Sequence, residues 1–255
     1  MTFALPGAEY DDFMGRYSSQ LAPLFVDFCD VEGGARVLDV GCGTGALTAV
    51  LVQRSGATKV AGIEPEPGLL EVCRSRLPDA DIRQGPAERL PWPDASFDAA
   101  LAQLVLSFVT DPAQVAREMQ RVVRPGGTVG ACMWLQQDGL QLSHLFWQAV
   151  GAVQPELRDV EAKMRFRKPG DIARLWREVG LSDLAETTLE VSVAYLGFDE
   201  LWSTIEHAAG PVGGYIRQAT PARSEAIRAE YHALLGRPLG AVVLSGRAAV
   251  ARARV

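Results

Sequence analysis

Hydrophobic and polar positions along this chain change period repeatedly, and each change marks a predicted element. Residues 17–29 place Leu21, Leu24, Phe25 and Phe28 at helical spacing, and Gly33-Gly34 ends the run. Residues 36–40 are a short apolar run leading into glycines, the signature of a buried parallel strand. Residues 44–54 turn helical again, with Leu47, Val50 and Leu51 on one face. Strands are then expected at 59–63, 80–83, around 98–102 and at 128–134. Between them lie helices at 65–77 and 113–123, the second stopped by Pro125-Gly126-Gly127. Such alternation predicts an α/β fold, a parallel sheet with helices on both faces.

The rhythm breaks after Trp134. Residues 136–168 read as helix and loop rich in large apolar groups, and a clean amphipathic helix follows over 171–179. Residues 184–196 alternate like a strand, 198–238 form a second irregular segment, and 241–255 predict a final, partly exposed strand.

Composition removes some function classes. The net charge of −6 weighs against a nucleic-acid partner, because phosphate binding needs a cationic surface. The cysteines Cys29, Cys42, Cys73 and Cys132 form no C-x-x-C pair, so neither metal chelation nor a disulfide framework is expected. Residues 1–7 lack a cationic segment followed by an apolar one, and no apolar stretch reaches the roughly 18 residues of a spanning helix. A cytoplasmic setting is the expectation, and nothing in the sequence sets an oligomeric state.

The sharpest chemistry lies in Val37-Leu38-Asp39-Val40-Gly41-Cys42-Gly43-Thr44-Gly45. Glycines let the chain turn sharply between strand and helix and let a ligand lie against bare backbone. The carboxyl end of a strand is where open α/β sheets bind ligands. Gly41, Gly43 and Ala46 also satisfy G-x-G-x-x-A, and Glu64 stands where a dinucleotide fold keeps its ribose-binding acid, so an NAD(P)-dependent oxidoreductase is a rival reading. Asp39 argues against that rival, since a carboxylate two residues before the loop would oppose a pyrophosphate. The same carboxylate suits a cationic nucleoside such as S-adenosylmethionine (SAM), whose sulfonium and ammonium are both positive.

At this point the chain resembles the class I SAM-dependent methyltransferases, in particular the small-molecule group called type 11 or ubiquinone-biosynthesis-like. The resemblance rests on residues 37–45, on Glu64 ending Val60-Ala61-Gly62-Ile63, on the stretch from Leu90-Pro91-Trp92 to Phe97-Asp98, and on Arg124-Pro125-Gly126-Gly127. It implies a Rossmann-like, seven-stranded, mostly parallel sheet with a helical substrate-covering insertion. One domain over 1–255 is implied: cap helices at 1–34, a SAM-binding core at 35–134, and substrate covers at 135–168 and 198–238.

The resemblance also implies site roles. Asp39, Gly41, Cys42 and Gly43 would form the cofactor loop, and Glu64 would grip both ribose hydroxyls. The family often carries an aspartate for the adenine amino group where this chain has Pro86 after Gly85. Adenine would then rest on the backbone N–H of Ala87, on Glu88 and against Pro65. Residues 10–17 resemble the family's leading helix, with Tyr10 as a lid and Arg16 forked onto the methionine carboxylate. Gln103 would line the methionine end. For chemistry, His144 is a weak candidate base, with His207, His232, Tyr195 and Glu206 weaker still. Trp134, Phe146, Trp147, Phe166 and Trp202 suggest a chamber for a small apolar or aromatic acceptor. Because no base stands out, a non-catalytic SAM-binding module is a further alternative.

Overall fold

A computed structural model describes residues 10–136, 139–158, 165–208 and 210–255. The reading of residues 1–7 therefore lies outside the described residues, as do 137–138 and 159–164 of the first expected cover and Ala209 of the second.

Seven strands form one sheet: β1 (Val37–Val40), β2 (Val60–Glu64), β3 (Asp81–Gln84), β4 (Phe97–Gln103), β5 (Val123–Trp134), β6 (Ser182–Tyr195) and β7 (Val242–Arg254). Their order is β3-β2-β1-β4-β5-β7-β6. The first five pair in parallel, whereas β7 runs antiparallel to both β5 and β6. The topology reverses at β1, from which the chain crosses first to β2 and later to β4. That switch point opens the crevice where such sheets take ligands.

Nine α-helices lie among the described residues: α1 (Arg16–Phe28), α2 (Ala46–Ser55), α3 (Pro67–Arg76), α4 (Pro112–Val122), α5 (Gln141–Val153), α6 (Asp171–Glu178), α7 (Phe198–Glu206), α8 (Gly210–Ile216) and α9 (Pro221–Leu234). A π-helical turn, Asp11–Gly15, leads into α1. Local chemistry sets several starts. Asp111 caps α4 by accepting from the Gln114 N–H at 2.9 Å, with Pro112 at the first helical position. Such a cap contributes about 1 kcal/mol.

Period-two alternation along the strands builds a core on each face of the sheet. Ala99, Leu101, Cys132 and Trp134 face α1, α2 and the helices of both covers. Ala100, Ala102, Ala131 and Met133 face α4 and α6, where Met119 and Trp176 are wholly buried. Two sequence expectations change here. The segment 198–238, read as irregular, folds mainly as α7, α8 and α9 and packs Trp202, Ile205 and Tyr231 into the first core. The final strand is exposed only near its start, at Val243, while residues 248–251 are buried because β7 inserts between β5 and β6.

Candidate functional site

The site begins where β1 ends. Every residue of β1 is buried, so the chain must leave the sheet through a turn that keeps its backbone polar groups paired. The N–H groups of Gly41 and Cys42 both donate to the Ile63 carbonyl, at 2.8 and 3.0 Å, pinning the loop to the end of β2. Gly41 has φ +75°, and a Cβ there would stand 2.5 Å from Cγ2 of Val105. Gly43 has φ +54° with open space beside it, so its backbone faces the cavity bare.

Glu64, the last residue of β2, is 7% exposed. One carboxylate oxygen accepts from the Gly43 N–H at 2.9 Å and the other from the Glu66 N–H at 3.0 Å. Burial raises its carboxyl above the ordinary range, and the two backbone bonds pull it back. The group is therefore held rigidly, with its remaining acceptor capacity available to the cavity.

That cavity has a volume of about 470 Å³, within the range of small-molecule sites. Of the sequence-predicted residues, Tyr10, Gly41, Gly43, Glu64, Pro65, Ala87 and Gln103 line it together. Burial raises the Tyr10 hydroxyl, and Glu64 and Asp11 add to the effect, so this phenol stays protonated at neutral pH. Gln103 donates through Nε2 to the Ser18 carbonyl at 3.0 Å. Its Oε1 is buried and has no hydrogen-bond partner among the described residues.

Three expected cofactor residues do not reach the cavity wall. Asp39 is 1% exposed beneath the loop, where it accepts from the Thr48 hydroxyl at 2.7 Å. Burial pushes its carboxyl up to about 7, against the pull of that bond. The Cys42 side chain turns away into a small core with Leu70, Cys73 and Ile82, so only its backbone serves the loop. Arg16 donates to Glu200 Oε1 at 2.8 Å and to the Ala194 carbonyl at 2.6 Å, and lies 4.4 Å over the Tyr195 ring. The guanidinium thus points toward β6 and α7, and Arg16 is not among the residues lining the cavity. Glu88, expected near adenine, lines the cavity and also accepts from the Thr110 N–H at 2.9 Å, fastening the loop after β4.

None of the candidate bases lines the cavity. His144 sits on α5 with Gln148 Nε2 3.0 Å from its ring nitrogen, and His232 stacks on Phe198 at 4.1 Å. His207 lies 2.8 Å from the Ser203 carbonyl, Tyr195 meets the Tyr17 hydroxyl at 3.2 Å in the core, and Glu206 accepts from the Trp202 indole. Among the aromatics, Trp134 and Trp147 line the chamber, whereas Phe146 and Trp202 are core. Phe13, Leu104, Val105, Phe108 and Arg167 are among further wall residues that the sequence did not single out. Phe13 alone had a local signal, being one helical turn from Tyr10.

The family model described as a methyltransferase domain matches residues 38–130. An uncharacterized methyltransferase of Mycobacterium tuberculosis is 40% identical over 116 residues, 46% of this chain and 46% of the relative. The chain thus spans about half the length of that relative. A demethylmenaquinone methyltransferase of Listeria welshimeri is 31% identical over 188 residues, 71% of this chain and 76% of the relative. In fold, the chain is similar to a phosphoethanolamine N-methyltransferase of Haemonchus contortus, solved with phosphomonomethylethanolamine and S-adenosylhomocysteine. The TM-score is 0.57 at 15% identity, covering 92% of this chain and 52% of that one.

Proposed function

Since the chain belongs to the class I SAM-dependent methyltransferases, we propose that the cavity at its β1–β2–β4 edge binds SAM and that the protein methylates a small apolar or aromatic acceptor. The observation that carries this reading is Glu64, held by two backbone N–H groups beside the bare glycine loop and facing the cavity.

The donor set fits the cofactor. Glu64 would accept both ribose O–H groups, and the unpartnered Gln103 Oε1 would accept an ammonium N–H. Adenine would lie between Pro65, Leu69 and Ala87. Three carboxylates, Glu64, Glu66 and Glu88, line the cavity against a single Arg or Lys, Arg167, among the described lining residues, which favours a cation over a diphosphate. When bound, SAM supplies an electrophilic methyl group on sulfur. The chain's own contribution is to align the acceptor and exclude water. Tyr10 and Phe13 would close the chamber from the N-terminal side, and Trp134, Met133 and Trp147 would hold an apolar ring. The Listeria relative, a demethylmenaquinone methyltransferase, fits such an acceptor class.

Titration calorimetry with S-adenosylhomocysteine and, separately, NADH tests the reading. The expected result is micromolar S-adenosylhomocysteine binding, weakened at least about tenfold in Glu64→Ala, where the lost charge-assisted bonds dominate. NADH binding without S-adenosylhomocysteine binding would establish the oxidoreductase reading instead. No described helix is long and apolar enough to cross a membrane.

A further inference from the structure

The cavity wall carries opposite charges at separate places. Glu64 and Glu66 stand at the end of β2 and Glu88 is held at the loop after β4 by the Thr110 N–H, whereas Arg167 is the one Arg or Lys among the described lining residues. Arg167 Nη2 donates to the Leu135 carbonyl at 3.0 Å, and the Arg167 carbonyl accepts from the Gln136 N–H at 2.8 Å. Those partners follow directly on β5, and Arg167 is engaged further besides. Glu64 ends β2, and β1 and β4 lie between β2 and β5. At the usual strand spacing β2 and β5 lie about 14 Å apart. A nucleoside over β1 and β2, with its amino-acid end at Gln103 on β4, leaves Arg167 on the acceptor side.

The backbone aims this side chain. Phe166, immediately before it, has φ +57°, a left-handed conformation that an aromatic residue rarely adopts. Leu104, just after β4, has φ +64° as well. The 165–167 segment is tied to that same loop, with the Ser107 hydroxyl donating to the Arg165 carbonyl and Arg165 donating to the Val109 carbonyl. Such paired strain persists only where the surroundings enforce it, and it gathers at ligand sites. Arg167 is 8% exposed, so the enforced conformation keeps a charge in a largely apolar chamber.

We propose that the acceptor is an apolar ring bearing an anionic oxygen, carboxylate or phenolate, and that Arg167 is the residue that selects it. The guanidinium fork shares its donors with that oxygen while Trp134 and Trp147 hold the ring. This rests on the proposed cofactor site. It adds that the acceptor's charge is opposite to the cofactor's, with each charge met at its own end of the cavity.

The test compares 2-naphthoate with its uncharged isostere 2-naphthamide by calorimetry, on the protein saturated with S-adenosylhomocysteine. Wild type should bind naphthoate about tenfold more tightly than the amide. Arg167→Met should reduce that preference to within twofold and leave S-adenosylhomocysteine affinity within twofold. Arg167→Lys keeps the charge but not the fork; it should retain only part of the preference and serves if the Met variant does not fold. Equal binding of both probes by wild type would overturn the proposal, as would a preference that survives in the variants. A tenfold loss of S-adenosylhomocysteine affinity in Arg167→Met or Arg167→Lys would also overturn it, by assigning the guanidinium to the methionine carboxylate. If wild type binds no S-adenosylhomocysteine, the cofactor reading fails by itself, and the naphthoate preference is then measured without it.

Discussion

The Thr44 hydroxyl donates to Asp11 Oδ1 at 2.5 Å, joining the π-helical turn at the N-terminal side to the glycine loop after β1. The second Asp11 oxygen pairs with Arg76 Nη2, also at 2.5 Å, at the end of α3. One carboxylate therefore ties together the segment carrying Tyr10 and Phe13, the glycine loop that lines the cavity, and the helix behind it.

This junction predicts a kinetic effect. Asp11→Asn loses the ion pair, and Thr44→Val loses the hydroxyl. Each variant should release S-adenosylhomocysteine about three- to tenfold faster in stopped-flow dissociation. The melting temperature should move little, because the pair is partly solvated. An unchanged dissociation rate in both variants would show that the N-terminal turn does not gate the cavity.

Asp39 makes folding stability depend on pH. Its carboxyl rises from about 4 in the unfolded chain to about 7 in the folded one, so the folded state binds the proton more tightly. The stabilisation is complete below about pH 4 and is lost as pH rises through about 7. Asp39→Asn keeps an acceptor for the Thr48 hydroxyl and removes the titration. Urea unfolding at pH 4.5 and 8 should therefore show wild type losing stability relative to Asp39→Asn, on the order of 2 to 4 kcal/mol. Parallel curves for the two proteins would contradict the assignment.

Gly41 and Gly43 separate architecture from recognition. Gly41→Ala meets both the left-handed φ and the side chain of Val105, so it should cost about 2 to 4 kcal/mol in denaturant unfolding. Gly43→Ala has the same kind of φ but open space around the new methyl group. It should cost only about 1 kcal/mol, yet weaken S-adenosylhomocysteine binding by crowding the bare backbone. Equal losses of stability would show that the two positions are not distinct in this way.

The sequence by itself determined the parts whose physics is local. A short apolar run, a glycine turn and an amphipathic helix are read within a dozen residues, which is why β1, the loop at Gly41 and Gly43, and Glu64 at the end of β2 were all legible. Tertiary structure alone decided where the charged side chains went. Arg16 is drawn off by Glu200, 184 positions away, and Arg167 enters the chamber through contacts with the chain just after β5. Asp39 sits in the loop motif, but its burial beneath Thr48 depends on how α2 packs. The late strand β7 follows the same rule, since its inner position comes from pairing with β5 across more than a hundred residues. Strand periodicity states which residues face together, whereas the partner of a charge or a strand edge is chosen only when distant segments meet.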